Sequence, residues 1–252
     1  MTRVAIIGSA QTDYHRKDRE NSVQELAYKV TKEALKDAGL TREDIDTVIV
    51  GSCDTIDGVS ISNAYSVDAT GAFLKDEVKV EEDAAFAAYY AILRILSGAF
   101  DTALVVSWGK NSETDIHLAT HLIFEPFYSR PIRLDGIQAF ALQYQTYIDK
   151  YGIEEEDTAK IVIKNLKNAT RNTYLNVKQD ITINDILTSE YISSPIKKFD
   201  CPPVSDGACA IVLAGEEIAK KTEKPVWITG IGTCSDTYHL GYRNLAELRA
   251  TS

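Results

Sequence analysis

The chain opens on a continuous apolar run, VAIIGSA at residues 4–10. An unbroken run of this length predicts a strand covered on both faces. Ser22-x-x-Glu25 then forms a capping box. Val23, Leu26, Ala27, Val30, Ala34 and Leu35 follow at helical spacing, and Gly39 is the stop. TVIVGS (47–52) predicts a second buried strand, and residues near 60–71 a short helix. VKVE (78–81) predicts a strand, 84–97 an alanine-rich helix stopped at Gly98, and TALVVS (102–107) another buried strand. Strands and helices that alternate in this way predict a parallel sheet with helices on both faces.

After Lys110 the texture changes. Residues 111–135 are rich in turn formers, and two helices follow. The first, near 136–151, carries Ile137, Phe140, Tyr144, Tyr147, Ile148 and Tyr151 at helical spacing before Gly152. Such an aromatic stripe is expected to pack in a core. The second starts at the acidic run Glu154–Asp157, which suits a helix N-terminus, and shows Ile161, Val162, Leu166 and Ala169 on one face. Thr182-x-x-Asp185 signals a third, short helix. ACAIVLA (208–214) predicts a buried strand, 215–222 a linking helix and PVWITGIGT (225–233) another strand, with the start of a further helix before Ser252.

A net charge of −10 argues against nucleic acid, which needs a basic surface. No apolar run approaches the ~20 residues of a membrane span, and the N-terminal apolar stretch is too short for a secretory signal. A cytoplasmic protein is expected. Cys53, Cys201, Cys209 and Cys234 lack C-x-x-C spacing, so neither a disulfide framework nor a metal site is expected from them.

Several stretches together resemble thiolases of the sterol-carrier-protein type. They are VAIIGSAQTDY, ELAYKVTKEALKDAGLTREDIDTVIVG, YGIEEEDTAKIVIKNLKNATRNTY and CPPVSDGACAIVLA, in that order and spacing. The resemblance implies an α/β fold of two βαβαβαββ halves in a five-layered sandwich, with a helical loop domain inserted in the first half. On that map residues 1–110 and 206–214 are the N-terminal half and 111–205 the loop domain, while 215–252 begin a second half that is cut short.

The family's nucleophilic cysteine stands at the first turn of the helix after VKVE. Here that position is Ala84, flanked by Asp83 and Ala85. The Gly-His-Pro histidine, the second cysteine and the asparagine motif of the family have no counterpart, since His15, His117, His121 and His239 lie outside any such motif. No catalytic residue is therefore assigned. Asp83 is read first as a helix cap and Cys53 first as a small buried residue; each is also a candidate replacement group.

A basic stripe at Lys160, Lys164, Lys167 and Arg171 is either a solvated helix face or a seat for the phosphates of coenzyme A. Arg130 and Arg133 are further basic candidates, and Cys201, Pro202 and Pro203 align with the family's pantetheine channel. The expected function is that of a degenerate thiolase-like protein of lipid metabolism. It binds coenzyme A or acyl-CoA, forms a homodimer through strand 78–81, and lacks ordinary acyltransferase chemistry. The alternatives are a non-catalytic scaffold with OB-fold or other lipid-metabolism partners, and an enzyme with replaced catalytic groups.

Overall fold

Local signals set the first half of the chain. The computed structural model describes residues 3–175 and 181–247. β1 (Val4–Gln11) leads to α1 (Val23–Ala38), whose capping box joins Ser22 and Glu25 reciprocally and whose end turns through Gly39 in the left-handed region. β2 (Thr47–Gly51) is buried along its length. The short helix expected near 60–71 is α3 (Ser62–Ser66), and a further one, α2 (Asp54–Asp57), precedes it. Then come β3 (Asp76–Val80), α4 (Ala84–Leu96) and β4 (Thr102–Lys110).

The inserted segment holds α5 (Ile116–Ile123), α6 (Gly136–Tyr151), α7 (Glu155–Ala169) and α8 (Ile183–Leu187), then a small hairpin of β5 (Tyr191–Ser193) and β6 (Ile196–Lys197). β7 (Asp206–Gly215), α9 (Glu216–Ala219) and β8 (Val226–Trp227) follow.

The main sheet runs β3-β2-β4-β7-β1-β8. β2 is parallel to β3 and to β4, whereas β7 is antiparallel to both β4 and β1. The four strands of the first 110 residues run parallel as expected, and β7 makes the whole sheet a mixed one. β7 enters between β4 and β1 from the opposite direction, so β1, β4, β2 and β3 still point the same way. Side chains alternate as the pleat requires. Val48, Val50, Leu104 and Val106 meet α1 on one face, and Ile49, Ala103 and Val105 meet α4 on the other. Gly8 is needed under α1, because a Cβ there would lie 2.5 Å from the carbonyl oxygen of Ala34.

The chain divides into two compact units, Met1–Thr114 with Ser205–Ile231, and Asp115–Val204 with Gly232–Ser252. In the second unit the aromatic stripe of α6 is not a core stripe. Ala139 and Ala141 are its buried residues, while Phe140 is 66% exposed. Helical spacing identifies a face but not which face is covered. Tyr144 does reach inward and donates to Thr158 Oγ1 at 2.7 Å. β8 is only two residues long, against an expected strand at 225–233: Val226 and Trp227 pair with Ile6 and Ala5 of β1, and Ile228 N adds one bond to the Val4 carbonyl at 3.0 Å. The further helix expected before Ser252 falls partly outside the described residues; within them lies a 3₁₀ turn at Leu240–Tyr242.

The ladder of β4 and β7 ends in a buried charge pair. Lys110 and Asp206 face each other in register, and their side chains are 1% and 0% exposed. Asp206 accepts hydrogen bonds from Ser112 N at 3.0 Å, Ser112 Oγ at 2.6 Å and Asp18 N at 2.9 Å. Burial works against its charge, but these donors hold the carboxyl below its ordinary range. Removing one partner of such a pair costs about 3–5 kcal/mol. Both tryptophans, Trp108 and Trp227, belong to the first unit, so their fluorescence reports its unfolding. Asp206→Ala should lower its denaturation free energy by about that much, and Lys110→Met/Asp206→Leu should cost clearly less. Equal losses in the two variants would show that the pair itself is not what holds this corner.

Candidate functional site

The C-terminal ends of β2 and β3 converge on the first turn of α4. Gly51 makes this possible, since a Cβ there would sit 2.8 Å from Ala87 Cβ and 3.0 Å from the Asp83 carbonyl oxygen. Helix and strand end thus touch through backbone. Asp83 caps α4, accepting from Ala85 N at 2.8 Å and Phe86 N at 3.2 Å. Ala84 follows it, partly exposed, with only a methyl group.

A charged cluster surrounds this turn. Lys79 reaches both Asp54 Oδ1 and Glu81 Oε2, the latter at 2.6 Å. The Asp54 backbone N–H donates to Glu81 Oε1 at 2.6 Å, and Asp54 Oδ2 accepts from Ile61 N at 2.7 Å. Burial pushes the pKa of the Lys79 ammonium down, but its two carboxylate partners more than offset this and raise it. Cys53 is half-buried at the start of α2, and burial pushes its thiol up, aided by Glu81 and Asp57. A thiolate is thereby disfavoured.

Asp57 is the group that sequence reasoning missed. It is 3% exposed; Oδ1 accepts from Lys110 N at 2.8 Å, and Oδ2 is buried with no hydrogen-bond partner. Burial pushes this carboxyl up to about 6. Thr114 Oγ1, at the neighbouring 3₁₀ turn, is also buried without a partner. Asp54-x-x-Asp57 just beyond a buried strand was the available signal, and its meaning depends on Lys79 and Lys110, which arrive from other strands.

The basic and channel candidates all lie in the second unit. Lys164 and Lys167 are exposed on α7 and Arg171 is exposed just past its end. Lys160, the first of the stripe, pairs with Asp157 at 3.0 Å. Arg130 donates to the carbonyls of Leu122 and Phe124, the latter at 2.7 Å, and so closes the end of α5. Arg133 is exposed with φ 57°. Cys201 is half-buried, and burial pushes its thiol up; Pro202 and Pro203 are exposed. Among the described residues no group of three or more His, Cys, Asp or Glu is placed to hold a metal ion.

No family model matches the chain. An acetyl-CoA acetyltransferase of Methanocaldococcus jannaschii is 29% identical over 262 residues, 99% of this chain and 66% of its own. Sterol carrier protein 2 of Gallus gallus is 26% identical, covering 87% of this chain and 42% of its own. Among solved structures, the Ltp2-ChsH2(DUF35) aldolase superposes with a TM-score of 0.79 at 21% identity, over 98% of this chain and 66% of that one. Human mitochondrial 3-ketoacyl-CoA thiolase in complex with CoA gives 0.64 at 15% identity, over 87% of this chain and 66% of that one.

The chain has a thiolase-like fold and is similar in sequence to an acetyl-CoA acetyltransferase and to sterol carrier protein 2. It spans about two thirds of the length of the acetyltransferases it matches. In this thiolase-like fold the first turn of α4 offers a cap, a methyl group and nearby carboxylates. It provides no thiol; the buried Asp57 carboxyl, pushed up to about 6, stands on α2.

Raising the folded-state pKa of Asp57 from 3.8 to about 6 has a definite sign. The proton is held more tightly in the folded state, so the stabilisation is complete below the unfolded value and is lost as pH rises through about 6. At 1.36 kcal/mol per pKa unit it amounts to about 3 kcal/mol. Asp57→Asn does not titrate. The stability of the wild type minus that of Asp57→Asn should therefore fall by up to about 3 kcal/mol between about pH 4 and about pH 7. A flat difference across this window, read from urea unfolding, would exclude the shift.

Proposed function

We propose that the protein binds coenzyme A or an acyl-CoA and does not perform cysteine-dependent thiolase chemistry. The observation that carries this reading is Ala84 at the first turn of α4, next to the capping Asp83. A helix N-terminus activates a thiol by lowering its pKa, and a methyl group leaves nothing to activate. The acyl-CoA part rests on the thiolase-like relatives and on the neighbour solved with CoA. Lys164, Lys167 and Arg171 are the proposed phosphate contacts, with Arg133 as a further one. Arg130 serves through the α5 end that it closes, and Cys201, Pro202 and Pro203 line the pantetheine path.

A second reading has its own support. The neighbour that superposes over 98% of this chain is an aldolase. An aldol cleavage needs proton transfer rather than an attacking thiolate, and the carboxyl cluster around Asp57 is the chemistry this chain retains. The same neighbour pairs two named components, Ltp2 and ChsH2. This supports a third reading, a scaffold subunit with an OB-fold or other partner.

Two measurements test the first reading. Acetoacetyl-CoA should not be thiolysed; a turnover of roughly 1 per second or more would overturn the reading. Calorimetric titration with CoA should give weak binding that declines with added salt. Phosphate contacts to lysine contribute roughly 1.5–3 kcal/mol each. Lys164→Glu/Lys167→Glu should thus weaken binding on the order of a hundredfold. Equal affinity in the two proteins would return the stripe to a solvated face, and no heat with the wild type would favour the scaffold.

We also propose a homodimer through β3. This strand lies at the sheet edge, pairs only with β2 and keeps Val78 and Val80 half-buried. An open edge of this kind is completed by the same edge of a second copy across a two-fold axis. Light scattering at micromolar concentration should show a dimer, and Val78→Pro a monomer. A monomeric wild type would dismiss the edge contact.

A further inference from the structure

Residues 53–61 leave the end of β2 and return beside it. The hydroxyl oxygens of Ser52 and Ser62 stand 3.1 Å apart, so the segment is a short loop closed at its base, with α2 inside it. The Asp54 carboxylate reinforces that base. It accepts from Ile61 N at 2.7 Å and Ser62 N at 3.4 Å, and pairs with Lys79.

Between Cys53 and Ile61 the one buried residue is Asp57. Its Oδ1 accepts from Lys110 N, on β4, at 2.8 Å. Oδ2 is buried without a partner, and so is Thr114 Oγ1. That hydroxyl lies against Gly58, where an added Cβ would come within 2.3 Å of it. An apolar side chain that pins a loop does so equally at any pH. Here the pin is a carboxyl. Neutral, it is buried at modest cost; charged, it gives up its hydration for one hydrogen bond from a backbone N–H. The pin lies between the segment and β4, within the first unit, so it acts whatever meets the outer side of the segment.

Charged groups meet Asp57 from each element around it. Asp54 on α2 and Glu81 just past β3 favour its proton, and Lys79 of β3 opposes them. Lys79 is itself engaged by both carboxylates. Lys110 presents its backbone N–H, while its ammonium is turned to Asp18, Asp206 and Glu113. Burial is the largest influence on the carboxyl. We propose that residues 53–61 are a strap latched onto Lys110 and Thr114 by the uncharged Asp57 carboxyl, and that ionisation of this carboxyl releases the strap while the sheet stays folded. The closed strap ionises at about pH 6 and the open one near the ordinary 3.8. Below the lower value both forms are neutral, and above the higher both are charged. Between them opening releases a proton, so it grows more favourable as pH rises and then levels off. A shift of about two pKa units is on the order of a hundredfold in the opening equilibrium. The strap works whether or not the second unit binds CoA.

Amide hydrogen exchange of the whole chain, followed by nuclear magnetic resonance between about pH 4 and about pH 7, tests this, with each rate divided by the amide's intrinsic rate at that pH. Ile56, Asp57 and Val59 report the strap, since their N–H groups bond the Cys53 and Asp54 carbonyls. Ile49 of β2 and Val105 of β4 report the sheet. In the wild type the opening equilibrium of the strap amides should rise on the order of a hundredfold across this window. In Asp57→Asn, which keeps an acceptor for Lys110 N and does not ionise, it should change by less than about threefold. The sheet amides should stay slower at every pH, and low urea should speed them while leaving the strap amides unchanged. The wild-type profile and its urea response need no variant, so poor folding of Asp57→Asn leaves the test intact. A flat wild-type profile, the same rise in a folded Asp57→Asn, or strap amides that exchange in step with the sheet would each overturn the proposal.

Discussion

The first unit depends on how the chain leaves it and returns. It departs after β4 and re-enters at β7, and those two strands pair along their whole length from Thr102–Ala214 to Lys110–Asp206. The last pair is the buried lysine and aspartate. Asp206 gathers Lys110, Ser112 and the backbone of Asp18, thereby tying the end of β4, the turn after it and the loop after β1 to one carboxylate. Asp18 in turn accepts from Glu20 N and Asn21 N, which sets the approach to the cap of α1. Buried charge of this kind does not maximise stability. It penalises a slipped register, because a shift of one residue turns every side chain of β7 to the other face and leaves Lys110 buried alone.

The same corner positions the candidate site. The backbone N–H of Lys110 donates to Asp57 while its ammonium points to Asp18 and Asp206. One residue therefore links the structural carboxylate to the titratable one. Through α2 the connection runs on to Asp54 and Lys79, and from β3 to the first turn of α4. Gly51 lets that turn sit on the end of β2.

Signals that are local in sequence were legible. The capping boxes at Ser22 and Thr182, the left-handed stops at Gly39 and Gly152, and the buried runs of β1, β2 and β4 all stand where the sequence placed them. Nonlocal pairing was not legible. Nothing within ACAIVLA says that it enters antiparallel between β4 and β1, because its neighbours are about a hundred or more residues away. The α6 stripe failed for a related reason: the period of Phe140, Tyr147 and Tyr151 is helical, but solvent covers them and alanines face inward. In the site, Ala84 and the cap at Asp83 were readable one by one. Asp57 was not, since its titration is made by burial and by charges from α2, β3 and the segment after it.

What remains at the first turn of α4 limits the chemistry open to it. An N-terminal helix dipole favours negative charge. Here Asp83 already occupies the Ala85 and Phe86 N–H groups, and Glu81 holds Lys79 together with Asp54. An incoming thiolate or enolate at this turn meets filled donors and surrounding carboxylates. Covalent acyl transfer needs a nucleophile and free donors for its oxyanion; at this turn residue 84 is alanine and the Ala85 and Phe86 N–H groups are taken by Asp83. Proton transfer asks for less: one group whose pKa lies near the working pH and a path to it. Asp57 meets the first condition, through burial rather than through a charged partner. Burial that raises its proton affinity also keeps it from solvent. Asp57 Oδ2 and Thr114 Oγ1 are both buried without a hydrogen-bond partner, so each carries the cost of an unmet polar group.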